Sequence, residues 1–472
     1  MRMSVLRQFL WKVYREAGQL ADSAEKILNH QRDQIPKENS LKMTECIARL
    51  RSFRKTGSKE EIRHEMQALE ERANQWLRAY PNPGIRDNLE NFFTMAVLLF
   101  AFRQFFFQPM VIPTGSAQPT LNGITSKDLR FTHQSIPNWP VRAFEWALFG
   151  HHYMEVIATE DGDFDGYSGV SDPAPGSALK NLLGRNFLVR VGNREYPVST
   201  TMSEGRADFI RHVSLTDEYG TLPKRHFKAG EPIIRCYIKS GDRLFVDRLI
   251  YNFKRPERGE TVVFKSLKHP GMTPNTHYIK RLIASGGETV RISDDRHVYV
   301  NNRRLESSDK GFSKVYSFDP TQHPASSVYS GHVNGTGFAE GRWFAPHKTE
   351  HALSQSADPK AKELLKNVAA EKAAIWRAYT NAAFIPKDGP LLSRYLESKG
   401  ELDAISRSTP NFYDATSEFT VRPSHVVCMG DNTLNSSDSR MWGVADFPEE
   451  RIVGRSGWVF WPWSPHWGWG KK

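Results

Sequence analysis

Residues 233–247 read Ile-Ile-Arg-Cys-Tyr-Ile-Lys-Ser-Gly-Asp-Arg-Leu-Phe-Val-Asp. Two short runs rich in β-branched and aromatic residues flank a Gly-Asp pair, a pattern typical of two strands joined by a turn. Similar runs follow at 258–265, 278–283, 288–292 and 298–302. No helical crossover lies between these runs, so they predict an antiparallel β-sheet.

Two long stretches interrupt the predicted sheet. Residues 125–235 read as an irregular insertion, with Gly, Pro and Asp concentrated around 161–176. Residues 306–417 read as a second insertion with a helix near 358–380, which opens with Asp358 as its cap and Pro359 in its first turn. The sequence therefore predicts a mainly β chain, whose core is divided among residues 109–124, 236–305 and 418–462.

The first 88 residues have a helical pattern. Ser58 and Glu61 form a capping-box signature, and apolar residues follow at helical spacing. Because these residues suggest no chemistry of their own, we interpret this segment as a helical extension.

Residues 89–108 form the most apolar segment of the chain. A membrane-spanning helix needs about 20 mostly apolar residues, and this segment qualifies if Arg103 reaches the bilayer interface. A buried core helix is the alternative, which Arg103 and Gln104 favour. A cleaved signal peptide is not expected this far into the chain.

The flanking charges predict an orientation for this segment. Residues 1–88 contain 17 Lys and Arg against 12 Asp and Glu, a surplus of five. Positive flanks tend to remain in the cytoplasm, so we expect a single-pass protein with its N-terminus there and the rest of the chain on the outer side.

The charge and the cysteine content limit which classes of partner and cofactor we expect. The net charge of +11 is compatible with nucleic acid or anionic lipid, but no zinc-finger spacing or RNA-binding motif supports nucleic acid. The three cysteines provide no disulfide framework, and we expect no metal or other cofactor. We interpret Cys236 and Cys428 as buried thiols, with a bridge between them as the alternative.

Ser116 and Lys280 are the candidate catalytic pair. A serine hydroxyl needs a base to take its proton, and a lysine can be that base only when it is neutral. Burial against apolar side chains favours the neutral amine, and Lys280 lies in the apolar run 278–283.

The chain resembles the bacterial type I signal peptidases, which are serine proteases with a Ser/Lys dyad. The resemblance lies in four blocks that occur in the same order: Val111-Ile-Pro-Thr-Gly-Ser-Ala-Gln-Pro-Thr-Leu121, Gly241–Asp247 with 258–265, Tyr278-Ile-Lys-Arg281, and Met429-Gly-Asp-Asn-Thr-Leu-Asn-Ser-Ser-Asp-Ser-Arg440. It implies an antiparallel signal-peptidase-like core behind an N-terminal transmembrane helix.

The resemblance also implies site roles. Ser116 matches the nucleophile and Lys280 the general base, while Ser436 matches the serine that orients the lysine. Thr114 matches a position whose hydroxyl joins the oxyanion hole, where such a donor is typically worth about 3 kcal/mol. The remaining matched positions brace the site or form its tight turn: Arg281, Asp438, Arg440, Gly430, Asp431 and Asn432.

Three features depart from the family pattern. Ala117 stands where methionine is usual, Thr114 stands where serine is usual, and the insertion at 125–235 separates the nucleophile block from the next strand. The first departure concerns packing near the substrate pocket rather than the chemistry.

The resemblance implies removal of signal peptides from preproteins after Ala-X-Ala-like sequences, at the outer, periplasmic face of a bacterial cytoplasmic membrane. A self-cleaving Ser/Lys regulator and an inactive membrane-anchored scaffold are the alternatives. The Trp-rich tail, 463–472, suggests contact with the bilayer, with Trp458 and Phe460 in the core.

Overall fold

The computed structural model describes residues 12–78, 82–130, 134–171, 185–200, 226–319, 331–345, 350, 353–354 and 358–468. The chain divides into two compact units, Met1–Leu99 and Phe100–Lys472. Helices α1 to α9 in the described part are Lys12–Gln31, Lys37–Thr56, Lys59–Trp76, Pro83–Phe105, Trp139–Phe149, Ser313–Tyr316, Gly335–Phe344, Pro359–Thr380 and Gly389–Arg407.

The strands are short, and in the described part of the chain they occur in the first insertion and in the core. In chain order, β1 to β18 are Phe107–Val111, Thr125–Asp128, His151–Ile157, Gly162–Ser171, Arg185–Val191, Arg194–Thr200, His226–Phe227, Pro232–Lys239, Arg243–Asp247, Thr261–Lys265, His277–Ser285, Thr289–Ile292, Val298–Val300, Arg303–Arg304, Glu418–Thr420, His425–Met429, Asp446–Pro448 and Ile452–Trp461.

The first unit contains α1, α2 and α3 packed around one apolar core. Leu28, Met43, Leu50, Ile62 and Leu69 are all buried there. The predicted capping box is confirmed at the start of α3, where the Ser58 hydroxyl accepts from the backbone N–H of the residue at 61 and that residue's carboxylate accepts from the backbone N–H at 58. The N-terminal helical pattern therefore arises from an amphipathic bundle.

The apolar segment begins earlier than the sequence predicted. Helix α4 runs over Pro83–Phe105, and Phe107 already begins strand β1, so the boundary placed after residue 108 falls inside a strand. Within the described parts of the chain, no helix combines the length and apolarity that crossing a bilayer requires. Glu90 and Arg103 are two of the charged residues that lower the apolarity of α4.

A seven-stranded antiparallel sheet forms the centre of the second unit, with the strand order β1-β9-β18-β10-β11-β16-β17. This arrangement confirms the antiparallel core. Strand β11 lies between β10 and β16, and its buried residues include Lys280 and Arg281. The sheet thus places the 278–281 block beside the strand that leads into the 430–440 block.

A second sheet has the strand order β14-β13-β12-β15. Its apolar side chains and those of the central sheet form one buried cluster. Ile283 and Val427 of the central sheet share this cluster with Val290 and Val300 of the second sheet. The two sheets together form the β core that the repeated short runs predicted.

The first insertion is more regular than predicted. Strands β2, β8 and β3 form one sheet, and β6, β5, β4 and β7 form another, around a shared apolar cluster. The boundary placed after residue 235 falls within β8, Pro232–Lys239. The run at 233–238 predicted β8, but β2 to β7 were missed because turn-forming Gly, Pro and Asp residues separate them.

The second insertion is largely helical in its described part. The predicted helix is confirmed as α8, Pro359–Thr380, and the Asp358 side chain caps it by accepting from the backbone N–H of Lys360. It packs with α7 and α9 around Ile375, Tyr395 and Leu402. These helices and those of the first unit together contain more described residues than the strands do. The prediction of a mainly β chain therefore holds for the core but not for the described chain as a whole.

Cys46, Cys236 and Cys428 are all free and buried. This confirms the interpretation of Cys236 and Cys428 as buried thiols and excludes the bridge between them. Burial, together with the nearby Asp438 carboxylate, raises the pKa of Cys428 above its ordinary range, which makes its thiol unreactive.

Candidate active site

Ser116 lies on a one-turn 3-10 helix, Gly115–Ala117, in the loop that follows strand β1. Asn432 holds this turn from the other side of the site. Its backbone N–H donates to the Ser116 carbonyl at 3.1 Å, and its side-chain amide donates to the Gly115 carbonyl, also at 3.1 Å. The turn is therefore fixed on both sides of the Ser116 side chain.

Lys280 reaches Ser116 from the central strand β11. The Lys280 Nζ atom lies 2.7 Å from Ser116 Oγ, and both residues are buried. The two residues are 164 positions apart in the chain. The fold therefore brings the two predicted catalytic residues within hydrogen-bond distance.

The environment of Lys280 favours its neutral form. Burial lowers the pKa of its amine to about 8, with Asp438 acting to raise it and Arg440 to lower it. Near pH 8 a large fraction of such lysines is neutral, and a neutral amine can accept the proton of a serine hydroxyl.

Asp438 and Arg440 form a fully buried ion pair next to Lys280. The Arg440 guanidinium donates to both carboxylate oxygens of Asp438, at 2.9 and 2.8 Å, and the backbone N–H of Gly430 donates to one of them at 2.9 Å. Although burial opposes ionisation, Arg440 and this N–H hold the pKa of Asp438 below its ordinary value.

Arg281 forms the second buried ion pair, with Asp431. Its Nε and Nη2 atoms donate to the two carboxylate oxygens at 2.8 and 2.5 Å. Nη2 also donates to the hydroxyl of Thr120, which in turn donates to Asp431. Nη1 donates to the Gly259 carbonyl at 2.7 Å. This network joins the loop that carries Ser116 to strand β11 and to the turn that follows β16.

Thr114 lies beside the nucleophile, whereas Ser436 is placed differently from what the resemblance implied. The Thr114 hydroxyl lies 3.4 Å from Ser116 Oγ. The Ser436 hydroxyl is buried against Gly430, so closely that a Cβ atom added to Gly430 would lie 2.1 Å from Ser436 Oγ. This hydroxyl has no hydrogen-bond partner among the residues described. The expected hydrogen bond from Ser436 to Lys280 is therefore not formed in this structure.

Ala117 packs into the protein interior. Its side chain is buried in a cluster with Leu121, Leu244, Val246 and Val263. A small side chain fits this enclosed position, which accounts for the alanine in structural terms.

Two contributors to the site were not singled out from the sequence. Thr120 completes the Arg281 network, and the carbonyl of Val333 in the second insertion accepts from Arg440 at 3.2 Å. Thr120 lies in the nucleophile block, but its partner Asp431 is 311 positions away, so no local spacing indicates the pair. A backbone carbonyl such as that of Val333 has no sequence signature.

Part of this chain is similar in sequence to one known protein family. A sequence model of the family described as signal peptidase, peptidase S26, matches residues 236–461. This match includes Lys280 and the block that ends at Arg440 but not Ser116.

Several curated proteins are similar to this chain. A signal peptidase I from Leptolyngbya laminosa is 34% identical over 93 residues, which are 19% of this chain and 45% of that protein. One from Pseudomonas aeruginosa is 23% identical over 67% of this chain and 85% of that protein. One from Aquifex aeolicus is 27% identical over 46% of this chain and 67% of that protein.

Proposed function

The chain belongs to the signal peptidase family, peptidase S26, of serine endopeptidases, and from this premise we propose that it removes N-terminal signal peptides from exported preproteins. The observation that carries the proposal is the 2.7 Å separation between Lys280 Nζ and Ser116 Oγ in a buried site. A lysine whose pKa is lowered to about 8 by burial can act there as a general base.

In the proposed first step, neutral Lys280 takes the Ser116 proton while Ser116 Oγ attacks the carbonyl carbon of the scissile bond. The negative charge that develops on the carbonyl oxygen is stabilised by the backbone N–H of Ser116 and the Thr114 hydroxyl. The 3.4 Å separation of the two hydroxyl oxygens supports this role for Thr114.

The protonated lysine then gives its proton to the departing amine, which is the new N-terminus of the mature protein. The signal peptide remains bound to Ser116 as an ester. Neutral Lys280 next takes a proton from water, whose oxygen attacks the ester carbonyl carbon. The bond to Ser116 Oγ then breaks, Lys280 gives its proton to that oxygen, and the signal peptide leaves with a free carboxyl group, which ionises in water.

The buried charges support the dyad by holding its geometry. Asp438 with Arg440 and Asp431 with Arg281 fix the turn that contains Gly430 and Asn432, and Asn432 holds the Ser116 turn. For Ser436 we propose a role near the lysine that requires a rotation of its side chain, because its hydroxyl is buried and has no partner in the part of the chain described.

We also propose that the protein acts at a bilayer. Helix α4 and the residue after it expose large apolar side chains, with Phe92, Phe100 and Phe105 each 65% exposed. Trp463 and Trp467 in the tail are also exposed, whereas Trp469, Lys471 and Lys472 lie outside the described residues. Large exposed apolar patches mark sites of membrane or protein contact.

The proposed location is a bacterial cytoplasmic membrane, with the N-terminus in the cytoplasm and the catalytic core on the outer side. The partners are then signal peptides and lipid, without nucleic acid. Protease added outside spheroplasts should digest the catalytic core and leave residues 1–88 intact, and digestion of the N-terminal segment from outside would contradict the orientation.

The function is tested by incubating the purified protein with a preprotein that carries an Ala-X-Ala site. N-terminal sequencing of the product should show cleavage directly after the second alanine. Replacing that alanine in the substrate with a bulky residue should abolish cleavage. No cleavage of the unmodified preprotein, or cleavage elsewhere, would contradict the proposed function.

A further inference from the structure

The last described residues of the chain fold back onto strand β18. Val459 and Gly468 exchange two backbone hydrogen bonds, at 3.2 and 2.9 Å. Trp467 packs edge-on against Trp458, with ring centroids 5.7 Å apart. These contacts fix the path of the tail and bring His466 against the end of the sheet.

His466 contacts a carboxylate in the protein interior. Its Nδ1 atom lies 2.8 Å from Asp242 Oδ2, and the two side chains are 13% and 1% exposed. Oδ1 of Asp242 has no hydrogen-bond partner among the described residues. A buried carboxylate with few donors depends strongly on each of them, because losing one leaves an unsatisfied charged group.

Asp242 closes the loop that carries Ser116. The backbone N–H of Ile112, where the loop begins, donates to the Asp242 carbonyl at 2.9 Å. Where the loop returns, Asn122 accepts from the Asp242 N–H at 2.9 Å and donates to Asp242 Oδ2 at 2.7 Å. His466 and Asn122 therefore share one carboxylate oxygen.

The closed loop has little space in which to shift. Next to Asn122, an added Cβ on Gly123 would lie 2.2 Å from the carbonyl carbon of Thr114 and 2.6 Å from the backbone nitrogen of Gly115. The returning chain thus touches the segment directly before Ser116. A displacement at Asn122 is expected to reach Ser116, because the two segments are in direct backbone contact.

We propose that His466 is a positioning residue for Ser116, acting through Asp242 and the loop of residues 112–122. This inference rests on the proposed function, in which Ser116 is the nucleophile, and it adds a role for the C-terminal tail. His466 touches neither the dyad nor the scissile bond. It donates to the carboxylate of Asp242. That carboxylate holds the Asn122 end of the loop, the backbone carbonyl of the same residue holds the Ile112 end, and together they fix the direction of the Ser116 hydroxyl.

The test compares three variants of the full-length protein. His466→Ala removes the donor, whereas His466→Asn retains an amide N–H close to the position of Nδ1. His226→Ala is the matched control, because His226 forms a similar 2.8 Å contact with Asp163 at an exposed position in the first insertion. The first readout is kcat and KM for preprotein cleavage. The second, which does not depend on activity, is hydrogen–deuterium exchange in the peptide spanning 112–124.

For His466→Ala we expect kcat to fall about tenfold with KM nearly unchanged, because a small misplacement of a reacting group slows the chemical step. Exchange in the 112–124 peptide should become faster. His466→Asn should restore both properties to within about twofold, and His226→Ala should change neither.

Several results would overturn the proposal. They are an unchanged kcat in His466→Ala, an equal loss in His466→Ala and His466→Asn, or unchanged exchange in the 112–124 peptide. If the unmodified protein cleaves no preprotein, the proposed function fails on its own account, and the exchange measurement alone then decides whether the tail holds this loop.

Discussion

The proposed role of Lys280 as a base depends on where the fold places its amine. On an exposed strand its amine would be charged at neutral pH, but complete burial lowers its pKa to about 8 while Asp438 and Arg440 act in opposite directions. The two nearby charges therefore act on the pKa of Lys280 in opposite directions, and the loss of solvation on burial decides that this pKa falls.

The pH dependence of cleavage follows from this pKa. In the proposed mechanism the active form carries a neutral lysine, so the rate constant should rise with pH and reach half its maximum near pH 8. Lys280→Arg should be inactive throughout, because a guanidinium stays charged. The measurement is kcat/KM between pH 6 and 10, and a rate that falls across this range would contradict the role of Lys280.

Asn432 allows a second test at the level of one side chain. Asn432→Ala removes the 3.1 Å hydrogen bond to the Gly115 carbonyl while its backbone N–H still reaches Ser116. We expect kcat to fall about five- to tenfold, as the loss of about 1 kcal/mol predicts. Asn435→Ala, at an exposed position three residues on, is the control and should retain full activity. An equal effect of both changes would indicate general damage.

The sequence predicted the individual residues of the site better than the bonds between them. Ser116 and Lys280 were identified from blocks of local sequence, and the structure brings them together. Thr120 and Asp242 were missed because their partners are distant in sequence, and Ser436 does not make its expected bond. Side-chain rotamers depend on packing that local patterns do not encode.

At the level of elements, the Arg281–Asp431 pair joins β11, the nucleophile loop and the turn after β16. Arg281→Met leaves a buried carboxylate without its cation, so the free energy of unfolding should fall by about 3–5 kcal/mol. The exposed Arg303–Asp309 pair provides the control, and Arg303→Met should cost less than about 1 kcal/mol. Chemical denaturation measures both, and similar losses would show that the buried network has no special importance.

Elements with strong local signals were predicted well. Helix α8 was placed correctly because Asp358 and Pro359 mark its start, and the short β-type runs of the core became strands. The start of α4 was misplaced because apolarity, rather than a cap, was taken to define it. Strands β2 to β7 of the first insertion were missed because turn residues outnumber the alternating pattern there.

At the scale of the whole molecule, the exposed apolar surface on α4 is the feature most relevant to where the protein acts. Phe100, Phe102 and Phe105 are 65%, 50% and 65% exposed. Replacing all three with serine should remove most co-flotation with liposomes, since each buried aromatic side chain contributes about 1.5–3 kcal/mol and the three together lower the partition constant by more than about a hundredfold. Phe384→Ser, at a 52% exposed position in the second insertion, is the control and should leave flotation unchanged. Equal flotation of the triple variant and the unmodified protein would exclude this surface.

The overall architecture was only partly accessible from the sequence. The antiparallel core was predicted because it depends on local alternation and turns. The balance of helix and strand was not, because the starts of α7 and α9 were not recognised, although Asn334 caps α7 and Asp388 with Pro390 marks the start of α9. Which insertion contacts the site depends on long-range packing, as the bond from Arg440 to the Val333 carbonyl illustrates.

The most direct test of the account compares preprotein cleavage by Ser116→Ala and Lys280→Ala with cleavage by Ser307→Ala and Lys265→Ala, which alter exposed residues of the same types. We expect the first two variants to lose at least about a thousandfold in kcat, as removal of members of a catalytic unit typically does. The two controls should retain the unmodified rate. Cleavage by Ser116→Ala at that rate would contradict the assignment of Ser116 as the nucleophile.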